Sequence, residues 1–402
     1  MRNLSPLFVL VLFLGFANHL NAQINRCDPE TGKDPTTGQF CLNAISTAVP
    51  FLGIVPDARS AALGNAGVAI SPDANAMHFN ASKLVFAEED LSIAATYTPW
   101  LRALGLNDVY MAYLTGFKKI DEFQAVGLGL RYFSLGSIQF TDTEGNALNT
   151  GRPYEFEING AYSRKLGEKL SASIGAKFIY SDLASGQQVD GETIEAGAAG
   201  AADIGFTYQS PIKLNGSESF LRLGLALTNL GSKITYTNSI NRDYLPANLG
   251  LGAAWEFELD EYNSLTTIVD INKLLVPTPD PNVDADGNNI PDYREKSVVS
   301  SVLGSFNDAP NGFNEEMREL NFSLGLEYWY DKQFAVRAGY FYEHESKGNR
   351  KFLTVGLGLK YNVFGLNLSY LVPTTNQQNP LDNTLRFSLV FDFGVLDDDA
   401  GN

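Results

Sequence analysis

The sequence predicts an all-β chain: a 14-stranded antiparallel transmembrane β-barrel preceded by a plug-like N-terminal segment. Three observations carry that expectation. An export signal is followed by no membrane-spanning helix, long segments alternate strictly with a period of two, and the connections between them alternate between short and long. The 402 residues suffice for two ordinary soluble domains or one large barrel. Composition agrees: 37 Gly, 26 Phe and 18 Tyr stand against 4 Met, with charged residues held to 19%. That balance suits many strands better than helices.

The signal comes first. Arg2 supplies a positive start, Leu4 to Phe16 is an apolar run, and Leu20-Asn21-Ala22 offers a cleavage site before Gln23. The run is too short to cross a bilayer as a helix, and no later stretch holds about 18 consecutive apolar residues. A lipoprotein reading fails, because Cys27 follows Ile24-Asn25-Arg26 rather than a small-residue lipobox. The chain therefore divides into a signal peptide (1–22), a periplasmic or plug segment (23–89), a barrel (90–395) with a long extracellular loop at 277–318, and an acidic tail (396–402). Cys27 and Cys41 are the only cysteines. In an oxidising compartment they can close a disulfide loop; the alternative is two unpaired thiols in a mobile arm.

The alternation begins near residue 90. Val126, Leu128, Leu130 and Tyr132 interleave with Gly127, Gly129, Arg131 and Phe133. Phe322, Leu324, Leu326, Tyr328 and Tyr330 interleave with Ser323, Gly325, Glu327 and Trp329, and the same holds for Leu353–Tyr361 and Leu385–Phe393. One face is uniformly apolar; the other mixes glycine, small polar and charged residues. A soluble sandwich also alternates, with its apolar face inward. Aromatic residues at the ends of the apolar faces, and segments of ten or more residues, favour lipid outside and a polar lumen within.

Fourteen such segments run at 90–98, 108–117, 122–135, 152–165, 169–182, 193–209, 219–230, 246–258, 263–276, 319–330, 333–345, 350–361, 364–373 and 384–394. Short connections at 118–121, 166–168, 259–261, 331–332 and 362–363 alternate with longer ones at 136–151, 183–192, 231–245, 277–318 and 373–383. An outer-membrane barrel has short periplasmic turns and longer outer loops, which places both chain ends in the periplasm. The connection at 209–217 is longer than that rule prefers. Residues 42–90 lack the alternation and are dense in small residues, as in Ala58-Arg59-Ser60-Ala61-Ala62-Leu63-Gly64. Such a segment packs inside a lumen or lies as a periplasmic arm. The lumen is the preferred reading, because open water leaves its Leu, Val and Phe side chains uncovered.

A net charge of −17 argues against nucleic acid as a partner. Catalysis is not expected: beyond the signal only His78 and His344 remain, neither beside a nucleophile-base arrangement. Gly127-Leu128-Gly129 and Gly356-Leu357-Gly358 sit inside strands with no helix N-terminus to hold phosphate, and read as small lumen-facing positions. Asp284, Asp286, Asn288, Asp292 and Glu295 occupy positions 1, 3, 5, 9 and 12 of a calcium-type loop, with Asn289 where glycine is usual. Pro291 and the lack of flanking helices speak for the other reading, a solvated acidic turn. No other cofactor is expected. Two apolar clusters fall in outer loops. Trp100, Leu101, Leu104 and Leu106 lie between the first two strands, and Val298, Val299, Val302, Leu303 and Phe306 fall at helical spacing in the longest loop. Each reads as a partner surface or as a cap on the barrel mouth. Trp100 also reads as a membrane-interface anchor.

The run Pro56 to Gly64, then Ser71 to Lys83, resembles the leading segment of the PorV family, outer-membrane proteins of the type IX secretion system within the wider FadL-like barrel group. Tyr97 to Arg102, Leu130 to Gly136, Asn272 to Pro279, Phe334 to Tyr340 and Asn383 to Leu389 extend the likeness over the whole mature chain. Ala81-Ser82 departs from the wider group, which usually has a proline there. The resemblance implies residence in outer-membrane lipid and a carrier role. Such proteins take cargo from an SprA/Sov-type translocon, hold its C-terminal signal domain, and pass it to the PorU sortase-like protease. The rival class is a FadL-like transporter of long-chain fatty acids or other hydrophobic molecules.

Overall fold

The computed structural model describes residues 43–101, 106–141, 145–184, 186–189, 192–214, 217–237, 242–280, 284–285, 287–288, 290–375 and 384–394. The expected signal peptide (1–22), Cys27, Cys41, Leu104, Asp286, Asn289 and the acidic tail (396–402) lie outside them. Fourteen strands close into one barrel. They are β1 (Leu91–Pro99), β2 (Val109–Asp121), β3 (Gln124–Leu135), β4 (Tyr154–Lys165), β5 (Leu170–Asp182), β6 (Gly197–Leu214) and β7 (Ser217–Gly231). β8 (Asn248–Glu258), β9 (Asn263–Leu274), β10 (Asn321–Tyr330), β11 (Phe334–Tyr342), β12 (Lys351–Tyr361), β13 (Phe364–Pro373) and β14 (Leu385–Phe393) complete it. Each strand pairs antiparallel with the next, and β1 closes the ring on β14 from Leu91↔Phe393 to Tyr97↔Phe387. Two small hairpins, 138–141 with 147–151 and 188–189 with 192–193, decorate long connections.

The two faces are inverted relative to a soluble sheet. Leu128 is 71% exposed and Ile174 65%, while Arg131, Arg337 and Arg386 are fully buried. Apolar side chains point to lipid and charged ones to the lumen, as the alternation predicts.

Two expected turns are corrected. The stretch 209–214 is strand: Ser210 pairs with Leu221, Pro211 with Phe220 and Ile212 with Ser219. β5 ends opposite Tyr208, so Pro211 stands on an overhang with one open side. Proline is tolerated at such an edge because its missing N–H leaves no ladder bond unmade there. Lys118–Asp121 likewise belongs to β2, and the chain reverses at Glu122-Phe123, where Asp121 accepts the Phe123 N–H.

The described part of the N-terminal segment, 43–90, passes through the lumen from one mouth to the other. At the long-loop mouth the Asn43 N–H donates to Ser346 O and the Ala48 N–H to Tyr244 O. A 3₁₀ turn (Pro50–Gly53) buries Phe51 and Leu52 against Phe133, Phe341 and Phe352. Midway, α1 (Ala58–Ala61) is capped by Asp57, whose carboxylate accepts the Ser60 N–H. Below it Leu63, Ala66, Ala69 and Ile70 pack on Ala254 and Ile268. α2 (Ala76–Phe79) and a second 3₁₀ turn (Ala81–Phe86) meet Phe117, Ala125 and Val390 near the short turns. There the Lys119 N–H donates to Asp90 O.

The expected periplasmic N-terminus lies outside the described residues. Asn43 stands at the long-loop mouth, whereas β14 ends at the short-turn mouth.

Inward glycines let the plug backbone touch the wall. A Cβ on Gly339 would sit on the Gly64 backbone nitrogen, and Gly64 itself has φ +66, with its own Cβ position 2.6 Å from Tyr340 O. Gly339→Val is expected to destabilise the barrel by about 1–3 kcal/mol, read as a lower midpoint for loss of the heat-modifiable gel form. Lipid-facing Leu357→Val should leave that midpoint almost unchanged. For the threading direction, Ser46→Cys and Leu303→Cys should react alike with a membrane-impermeant maleimide on sealed membranes, and Asp260→Cys from the opposite side only. Ser46→Cys reacting with Asp260→Cys would refute the direction.

Candidate functional site

Charged side chains inside the barrel serve first to hold the plug. Glu327 on β10 accepts two hydrogen bonds from Arg59 of the plug, at 2.9 and 2.7 Å, and a third from wall residue Arg337 at 2.6 Å. Arg59 also binds Asp73 at 3.0 Å, so two guanidiniums meet two carboxylates. Asp270 on β9 accepts the Gly67 and Val68 N–H groups at 2.7 and 2.8 Å. Arg131 on β3 donates to Phe51 O, Leu52 O and Ile54 O and to His78 Nδ1. A guanidinium can only donate, so His78 Nδ1 is the acceptor in that pair. Glu327, Asp270 and Arg131 are each answered by partners; removing one partner of a buried charge pair typically costs about 3–5 kcal/mol. A cavity lined by Met77, Phe79, Asn159, Gly175 and Asp203 measures about 10 Å³, room for about one water.

The long-loop mouth is built differently. The connection between β9 and β10 carries α3 (Asp292–Glu295), α4 (Val298–Gly304) and α5 (Phe313–Arg318). A buried ion cluster ties it down. Lys273 at the end of β9 donates to Glu316 at 3.0 Å and Glu319 at 2.6 Å, and Lys347 donates to Glu315 at 2.5 Å and Glu319 at 3.0 Å. Thr278 donates to Glu319, and the Asn43 amide to Glu315. Burial works to raise the Glu315 carboxyl, but the Lys347 ammonium outweighs it and holds the group below the usual carboxylate range. A polar cavity of about 220 Å³ opens beside this cluster, lined by Ile45, Glu319, Glu343, Lys347 and Arg350 among others. Tyr244 OH donates to Tyr293 O and Lys296 O, fixing the approach to α4.

α4 is capped by Ser297, whose hydroxyl accepts the Ser300 N–H. Its polarity runs the wrong way for a surface helix. Ser301 and Ser305 are fully buried, whereas Val299 is 70% exposed, Leu303 73% and Phe306 50%. Val298 and Val302 are half-buried flanks. Phe313 and Met317 on α5 are exposed too. This helix does not cap the mouth with its apolar side; it offers that side to the exterior.

The first apolar cluster does not gather there. Trp100 is 7% exposed and meets Phe133 edge-on at 5.1 Å, so the interface-anchor expectation is corrected. The chain turns inward after Pro99, with the Trp100 N–H donating to Val109 O and Leu101 at φ +52 packed on the same cluster. Leu106 remains exposed.

In the acidic loop, Asp284 accepts the Gly287 and Asn288 N–H groups, Asp292 the Ala285 N–H, and Glu295 the Asn288 amide. The left-handed residue described there is Gly287, at φ +70. Among the described residues no three His, Cys, Asp or Glu side chains gather as a metal site.

Sequence reasoning singled out α4 but missed Lys273, Lys347 and their three glutamates. The available signal was Lys273 itself, an ammonium at a lumen-facing strand position.

No curated protein matches the chain. Solved structures similar to it include the Ralstonia pickettii toluene transporter TbuX, at 12% identity and TM-score 0.46 over 84% of this chain and 98% of that one. The P. putida toluene transporter TodX is similar at 11% and 0.47 over 84% and 98%, and a Pseudomonas aeruginosa FadL homologue at 10% and 0.42 over 88% and 100%. The family model described as type IX secretion system protein PorV matches residues 38–281, well over half of the sequence. This closed, plugged barrel belongs to the PorV family of type IX secretion proteins.

Proposed function

We propose that the chain is an outer-membrane carrier of the type IX secretion system. It receives the C-terminal signal domains of secreted proteins on its long-loop face after they leave an SprA/Sov-type translocon. It then presents them to the PorU-type sortase complex. Under this reading the short turns face the periplasm and the long loops the exterior.

The observation that supports it best is α4, an aliphatic helix face turned outward on a loop that is otherwise tied down by buried charge. A disordered loop exposes apolar residues cheaply and without meaning. A loop anchored through Lys273, Lys347 and Tyr244 that still buries serine and exposes leucine is organised for contact. Pre-ordering also lowers the entropy that capture would otherwise cost.

The transporter reading takes its cue from TbuX and TodX, which are toluene transporters. It requires an apolar passage, and here the middle of the lumen holds a plug fixed by Glu327, Asp270 and Arg131.

Deleting 297–306 should leave heat-modifiable barrel in the membrane while weakening capture of a cargo signal domain by about tenfold or more, the scale of a lost interface anchor; unchanged capture would remove α4 from the site. In planar bilayers the intact chain should show no steady conductance, whereas Arg59→Ala, which strips Glu327 of its plug partner, should show intermittent openings. A stable open pore in the unaltered protein would overturn the closed-lumen part of the proposal.

A further inference from the structure

We propose that the polar cavity at the long-loop mouth is a binding site for a neutral saccharide, about one sugar ring in size. This goes beyond the carrier reading and does not depend on α4.

At about 30 Å³ of liquid volume per water, the cavity of about 220 Å³ has room for about seven waters or a single sugar ring. Its wall is fixed before any ligand arrives. Lys347 and Glu319 belong to the buried ion cluster, and Glu343 is held by Arg350, which donates from Nε at 2.8 Å and from Nη2 at 2.7 Å. The Arg350 guanidinium also lies over the Phe341 ring.

What these pairings leave over decides the ligand. Among the described residues Arg350 Nη1 has no acceptor, and Lys347 uses two of its three N–H donors. The side-chain amide of Asn321, at the start of β10, has no partner among them at all. On the acceptor side, Glu319 and Glu343 each accept three hydrogen bonds, one short of a carboxylate's capacity of about four. Spare donors and spare acceptors therefore line the same small space. Half-buried Ile45 and Leu274 supply the apolar part of the lining.

That inventory selects among ligands. A free anion needs surplus positive charge, but Lys273, Lys347 and Arg350 stand against Glu315, Glu316, Glu319 and Glu343. A cation needs an uncommitted carboxylate, and both that line the cavity are already paired. A wholly apolar molecule would strip water from these groups and return nothing. A neutral polyol fits, because each hydroxyl donates to a carboxylate oxygen and accepts from an N–H, while the C–H side of a sugar ring covers Ile45 and Leu274. Since ion pairs already hold the polar groups in place, little ordering is left for the ligand to impose.

The test uses the full chain in detergent. Binding of glucose, galactose, mannose and N-acetylglucosamine is measured by saturation-transfer NMR, with sodium acetate and methylammonium chloride as charged controls. At least one sugar is expected to bind with a dissociation constant of about 1 mM, and neither ion comparably. Asn321→Leu removes the free amide without taking a hydrogen bond from the fold. It should weaken sugar binding about tenfold, with heat-modifiable mobility retained. Competition by the lipid-free oligosaccharide of lipopolysaccharide assigns the source to a membrane glycan, and lack of competition to a soluble sugar. Acetate binding in place of the sugars, no sugar binding up to about 50 mM, or binding that Asn321→Leu leaves unchanged would each overturn the proposal. The carrier reading, tested by deleting 297–306, stands or falls separately.

Discussion

A carboxylate buried in a membrane barrel is stable only if something answers its charge, and Glu327 is answered from two directions at once. Arg337 comes from the adjacent strand and Arg59 from the plug, so a single side chain welds the wall to the segment inside it. The surrounding structure follows from that demand. Asp73 returns the second positive charge to balance, and Asn367 takes another Arg337 N–H. The glycines on neighbouring strands bring the plug backbone close enough for the pairing to close. The plug is thus part of the folded core, and the hydrophobic contribution usually made by a dry interior is divided between lipid outside and a thin polypeptide inside.

The barrel was legible because its rule is periodic. Every outward Leu128 or Leu357 is matched by an inward small or charged residue, and that pattern survives without knowledge of neighbours. Strand ends were harder. Within the turn expected at 209–217, the stretch 209–214 is strand because β6 and β7 run on past the end of β5, a relation between strands that no local window contains. Trp100 misled for a similar reason: an aromatic residue at a strand end suits the membrane interface and a packed mouth equally, and only Phe51 and Phe133, far away in sequence, decide between them.

The loop site was half legible. Val298 to Phe306 declared a helix with an apolar stripe, but a stripe does not say which way it faces. The answer lay in Lys273 and Lys347, which fold the loop down through glutamates more than thirty residues distant from at least one partner. Charge placed inside a strand was the clue, and it carried more information than the apolar pattern it accompanied.

The single passage of the plug through a closed ring constrains the order in which the molecule is made. A finished cylinder sealed at Leu91↔Phe393 has no gap through which a folded segment with α1 and α2 could later be slipped sideways. The N-terminal stretch can take its place only end-on through a mouth, or before the first and last strands zip together with the inner thread as the mandrel on which the sheet is rolled.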